Sequence, residues 1–101
     1  MNISNNVSSI SAHQTMMNNS AHNVANVNTD GFIPKSTVIN SNTNTVNANT
    51  REATASNYSR SQTDISKEIP DQMIAQRATE MNVTTIKTQD EMFGSLLDIK
   101  A

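Results

Sequence analysis

Seven positions near the start of the chain, Ile3, Val7, Ile10, Gln14, Met17, Ala21 and Val24, follow one another at spacings of 4, 3, 4, 3, 4 and 3. That is a repeat of 3.5 residues, the seam of helices that pack side by side, with one polar interruption at Gln14. The seam constrains the fold because little else favours a helix here. Asn5, Asn6, Asn18, Asn19 and Ser20 are weak helix formers, each costing roughly half a kcal/mol against Ala. A helix over about residues 3–27 therefore holds only where the seam is packed. Asn2 or Ser4 suits its N-cap. Asp30-Gly31 is a natural stop, since glycine tolerates the left-handed backbone.

Two more segments follow. Residues 33–64 start with Pro34, which disfavours helix at Ile33, and continue in Asn and Thr with no sustained apolar period. They predict a polar low-complexity loop, with at most a short strand over Thr43-Asn44-Thr45-Val46. Residues 65–101 predict a second helix running to about Asp98. Pro70 fits its first position, Asp71 its first turn, and Lys100 its negative end. It bears two apolar stripes. One is Val83, Ile86, Phe93 and Leu97; the other is Ile74, Ala78, Met81, Met92 and Ile99.

The expected fold is mainly α: two long terminal helices in an antiparallel coiled-coil hairpin, joined by a polar loop. The divisions are residues 1–32, 33–64 and 65–101. Such a hairpin cannot bury both stripes of its second helix, and the composition offers nothing to cover them. Aromatics are 3% of the chain, and Asn, Ser and Thr fill 39 of 101 positions. An assembly interface is the better reading. Its expected members are Ile3, Val7, Ile10, Met17, Ala21 and Val24 on the first helix. On the second they are Met73, Ile74, Ala78, Met81, Val83, Ile86, Met92, Phe93, Leu96 and Leu97.

Other functions find little support. The formal charge is −2, and Arg51, Arg60, Lys67, Arg77, Lys87 and Lys100 are scattered singly, so no nucleic-acid footprint forms. No stretch approaches the ~20 apolar residues of a membrane span, and the N-terminus lacks the basic and apolar regions of a cleavable signal. Cysteine is absent. His13 and His22 lie nine residues apart, about 180° around a helix, so they cannot share a metal. With glycine only at Gly31 and Gly94 there is no phosphate loop, and no nucleophile elbow or zinc-protease motif occurs. No enzyme, cofactor or metal is expected. Arg77 with Glu80, and Lys87 with Asp90 and Glu91, suit surface ion pairs.

The turn Ala25-Asn26-Val27-Asn28-Thr29-Asp30-Gly31-Phe32 closely resembles the Ala-Asn-x-Asn-Thr-x-Gly-Phe signature of the bacterial flagellar rod and hook axial proteins. At the other end, Ala75-Gln76-Arg77-Ala78, Asn82, Ile86, Thr88, Asp90-Glu91-Met92 and Leu96-Leu97-Asp98-Ile99-Lys100 resemble the family's C-terminal helix, more in its distal-rod and hook form. The likeness covers about residues 3–32 and 65–101.

It implies a structural subunit of the basal-body rod or rod–hook junction, located in the flagellar basal body. Such a subunit leaves through the flagellar type III export apparatus, unfolded and without a cleaved signal. It assembles through its terminal helices, with other axial proteins and copies of itself, into the tube around the export channel. In that setting the turn, from Ala25 through Asn26, Asn28, Thr29, Asp30 and Gly31, redirects the chain outward and Phe32 anchors the exit.

Three departures stand out: Thr79 where the family usually has Tyr or Phe, a first helix poorer in Leu and Ala, and no room for a surface domain. The alternative is a cytoplasmic regulator or chaperone-like binder that mimics axial helices.

Overall fold

The computed structural model describes residues 3–42, 45–52 and 60–100. Four elements follow in order: α1 (Ile3–Ala25), β1 (Lys35–Ser41), β2 (Val46–Glu52) and α2 (Ile65–Lys100). The helices run antiparallel. Ser20 Oγ donates to the carbonyl of Glu68 (3.1 Å) towards one end, and Asn82 Nδ2 donates to Ser9 Oγ (2.9 Å) towards the other.

This architecture corrects the expected pair of helices joined by a loop. The middle of the chain is an antiparallel β-hairpin, with Thr37 opposite Thr50 and Ile39 opposite Ala48. Thr37-Val38-Ile39 supplies the β-branched run that a pleated strand favours. Side chains alternate, so Thr37 and Ile39 share a face with Val46, Ala48 and Thr50. That face lies on α1. Asn19 Nδ2 donates to Thr37 Oγ1 (2.8 Å) and Thr50 Oγ1 (3.0 Å), and the Val46 N–H donates to Ser8 Oγ (3.0 Å). A hairpin that docks through hydroxyls and amides needs no apolar stripe, and so the segment reads as a loop. Of the short strand expected at 43–46, Thr43 and Asn44 lie outside the described residues. Thr45 lies between the strands, and Val46 opens β2.

The helices are also unequal, 23 residues in α1 and 36 in α2. α2 starts earlier than Pro70 suggests, because Asp64 caps it. The Asp64 side-chain Oδ1 accepts the Ser66 N–H (3.0 Å), and its carbonyl accepts the N–H groups of Lys67 and Glu68 (3.0 Å each). This satisfies donors that a helix start leaves open and places a negative charge at the positive end. Pro70 sits inside the helix, where its missing N–H costs one bond.

The seam of α2 towards α1 is Glu68, Gln72, Ala75, Thr79, Asn82, Ile86 and Gln89, spaced 4, 3, 4, 3, 4, 3 and all buried or half-buried. On α1 it is Ser9, His13, Met16, Ser20 and Asn23. Both seams are mostly small or polar. Among the described residues only Ala12 and Ala75 are buried apolar side chains. The molecule measures 68 × 23 × 14 Å, and its thinnest dimension barely exceeds one helix, about 10–12 Å across. Among the described residues no second layer covers the outer side of α2.

So little buried apolar area cannot offset the entropy of ordering the chain. In dilute solution far-ultraviolet circular dichroism should show much less helix than the two elements contain, with helix rising as protein concentration rises. A cooperative, concentration-independent melt of a fully helical monomer would contradict this.

Candidate assembly surface and its polar anchor

The hairpin, α1 and α2 meet at Asn23, which is 1% exposed. Its Oδ1 accepts the Lys35 N–H (2.9 Å), and its Nδ2 donates to the Lys35 carbonyl (2.7 Å) and to Glu68 Oε1 (2.9 Å). The side-chain amide thus extends β1 as another peptide group would, while its remaining hydrogen reaches the carboxylate of α2. Glu68 is 3% exposed and Ser20 is buried beside it, bonded to the Glu68 carbonyl. A buried carboxylate is tolerable only with donors in reach, and Asn23 is one. None of Ser20, Asn23 and Glu68 belongs to the apolar pattern. The signal that points to Glu68 is its place in the 3.5-residue series through Ala75, Asn82 and Gln89.

The turn after α1 is built from its own residues. α1 ends at Ala25, where the Asn26 N–H reaches both the His22 and Asn23 carbonyls and the Val27 N–H reaches Val24 (3.2 Å each). Asn26 Nδ2 caps the His22 carbonyl (2.9 Å), and Asn26 Oδ1 accepts from Thr29 Oγ1 (3.0 Å). Asn26, not Gly31, stops the helix. Gly31 has a separate task. The Phe32 N–H closes on the Thr29 carbonyl (3.2 Å), and Gly31 takes a φ of +73° at the third position of that turn, as a type II turn requires. Asn28, Thr29, Asp30 and Gly31 are exposed. Phe32 folds back edge-on against His22, ring centres 5.5 Å apart, and its carbonyl accepts the Gln62 N–H (3.1 Å).

The expected interface residues divide by face. Ile10, Met17, Val24, Ala78 and Ile86 are half-buried, with Met17 beside Ala75 and Thr79 in the groove between the helices. Ala21 and Ala25 are exposed. Ile3, Val7, Met73, Ile74, Met81 and Val83 are exposed large apolar side chains. Towards its C-terminus α2 runs past the first described residue of α1, and every residue from 90 to 99 is exposed. There Phe93 is 64%, Leu96 62% and Ile99 84% exposed, with Met92 and Leu97 beside them. Large apolar side chains are thus left uncovered at high density on this one helix.

Polar chemistry elsewhere is sparse. A cleft at the hairpin root mixes Lys35, Arg51 and Lys67 with Glu52, Asp64 and Glu68. Among the described residues no three His, Cys, Asp or Glu side chains are grouped to hold a metal. The ion pair present among them is Lys67–Asp71 (3.6 Å). Glu80, expected to pair with Arg77, accepts instead from Gln76 (3.3 Å). Among the described residues no helix is long and apolar enough to cross a membrane.

Residues 55–99, which take in nearly all of α2, match the family described as flagellar basal body rod FlgEFG protein C-terminal. No curated protein sequence matches the chain. The match makes the C-terminal part of this chain similar to the C-terminal region of the flagellar basal-body rod proteins. Other flagellar axial proteins are the partners and the flagellar basal body the location that this family implies.

Because Phe93 and Leu96 are exposed and far along α2 from Glu68, Phe93→Asp with Leu96→Asp should leave the Asn23 node intact yet suppress association. Sedimentation velocity should show the double variant monomeric at concentrations where the parent chain associates. Unchanged association would remove this end of α2 from the interface.

Proposed function

We propose that the chain is a structural subunit of the flagellar rod or rod–hook junction, exported unfolded and assembled through its terminal helices into the tube around the export channel. The observation that supports this most is the inverted pattern of α2: its inward seam is small and polar, while its large apolar residues face outward. A chain that folded for itself would bury Phe93, Leu96 and Leu97. In an assembly these residues, with Met73, Ile74, Met81, Val83 and Met92, form the contact between subunits, and Ile3 and Val7 join from α1. Burial of each large side chain contributes about 1.5–3 kcal/mol. That is ample for a helix pair whose own core is two alanines, so folding and assembly become one step. The outward-facing stripes match axial subunits and further copies of this chain, and a thin, weakly cored molecule suits passage through the export apparatus as an open chain.

Mass spectrometry of purified hook–basal bodies, quantified against a known rod subunit, tests the reading. Recovery of the chain at a fixed ratio supports it. Recovery only from the cytosol overturns it in favour of a regulator that mimics axial helices.

The turn offers a second test. At φ +73° any side chain other than Asn or Asp is strained by about 1–2 kcal/mol, although open space surrounds the position. Gly31→Val should therefore reduce incorporation several-fold, Gly31→Asn far less, and exchanges at the exposed Asn40 and Asn49 should be neutral. Equal tolerance at all three sites in a soft-agar motility assay would exclude a role for the turn.

A further inference from the structure

We propose that Asn23 makes docking of the β-hairpin conditional on closure of the helix pair, so that a partner acting on the helices sets the position of the hairpin. The hairpin touches α1 at three levels. These are Ser8 to the Val46 N–H, Asn19 to Thr37 and Thr50, and Asn23 to both backbone groups of Lys35. The first two belong to part-buried or exposed groups that exchange readily with water. At the third, Lys35 is half-buried like the other partners, but Asn23 itself is 1% exposed and turned to α2: its amide donates to Glu68, 3% exposed, and Ser20 holds the same turn of α2 through the Glu68 carbonyl. The direct link from α2 to the strands is an exposed Lys67–Ser36 contact at 3.4 Å, too long and too wet to hold the hairpin.

Closure acts through the amide in two ways. The bond that the Asn23 amide donates to the Glu68 carboxylate fixes the Asn23 rotamer before the hairpin arrives, and exclusion of water strengthens the two bonds to Lys35. When α2 leaves, the amide regains rotamer freedom and water competes for both Lys35 groups. Coupling of this kind is reciprocal, so a docked hairpin in turn favours the closed helix pair.

The test uses the full chain and does not depend on the flagellar reading. The sequence has no cysteine, so Ser9→Cys with Asn82→Cys can be joined by a short bis-maleimide, holding the helices together about 20 Å along α1 from Asn23. Hydrogen–deuterium exchange of residues 35–41 and 46–52 is then followed by mass spectrometry.

Joining the helices should slow strand exchange on the order of tenfold, and Asn23→Ala or Glu68→Ala in the joined chain should abolish that gain. Glu68→Gln, which keeps an acceptor at the same reach, should retain most of it. Asn19→Ala should speed exchange in the strands alone, whereas Asn23→Ala should also speed it over residues 65–75. The proposal is overturned if the strands exchange equally with and without the crosslink, or if Glu68→Ala leaves strand exchange unchanged in the joined chain. Neither result would bear on whether the chain is found in basal bodies.

Discussion

Everything in this fold converges on the amide of one asparagine. Asn23 is the point at which α1 holds the first residue of β1 and the first turns of α2 together, through three bonds of 2.7 to 2.9 Å. A node of this kind adds modest net stability, since each hydrogen bond replaces one to water and gains about 1 kcal/mol. Its larger effect is on alternatives. With the strand shifted by one residue, or α2 rotated by a quarter turn, Asn23 and Glu68 would be buried without partners, at about 1–3 kcal/mol for each group and more for the charge. The node excludes other arrangements more than it strengthens this one.

That division of labour explains how a chain so rich in Asn, Ser and Thr folds at all. Polar residues occupy the inner surfaces: Ser8 and Asn19 under the hairpin, Ser9 and Ser20 against α2, Asn82 and Gln89 facing back. The large apolar residues occupy the outside of α2. The usual amphipathic logic is reversed within the single chain, and it would become ordinary again in the proposed assembly, with neighbours around α2. Thr79 fits the same account: it lies half-buried in the inner seam, lining the groove between the helices with Ala75 and Met17.

Sequence reasoning reached the existence and order of both helices and the break between them, because these depend on local chemistry. The Asn26–Gly31 turn is written in residues that bond to one another, as Asn26 does with His22 and Thr29. It did not reach the phase of the seams. An apolar series at 3.5 spacing, Ile3 to Val24, suggests an inward face, but the groups that bond to α2 are Ser9, Ser20 and Asn23, which belong to no apolar pattern. The helix begins at residue 65 as expected, but Pro70, read as its first position, lies inside it. Pro70 is a strong local signal, while Asp64 is one acidic residue in a polar stretch whose capping role shows only in three dimensions. The hairpin escaped notice because its docking partners, Asn19 and Ser8, lie far away in sequence and leave no apolar period in the strands.

Apolar contact is non-directional and scales with area, so two helices joined by leucines alone can slide by a heptad at little cost. Asn23 cannot slide: its acceptor and both donors are each committed to a different group, and only one register satisfies all three. A subunit that repeats along a tube needs its own geometry fixed before its neighbours impose theirs, or small errors accumulate from copy to copy. Placing directional bonds inside and non-directional area outside meets that need. In the proposed assembly the inner seam would set the shape that each copy presents, and the outer face would supply the association energy without influencing that shape. This separation also accounts for an inner core in which, among the described residues, two alanines are the buried apolar side chains. Larger apolar residues there would stabilise the lone chain but would widen the helix spacing and pull Asn23 away from Glu68.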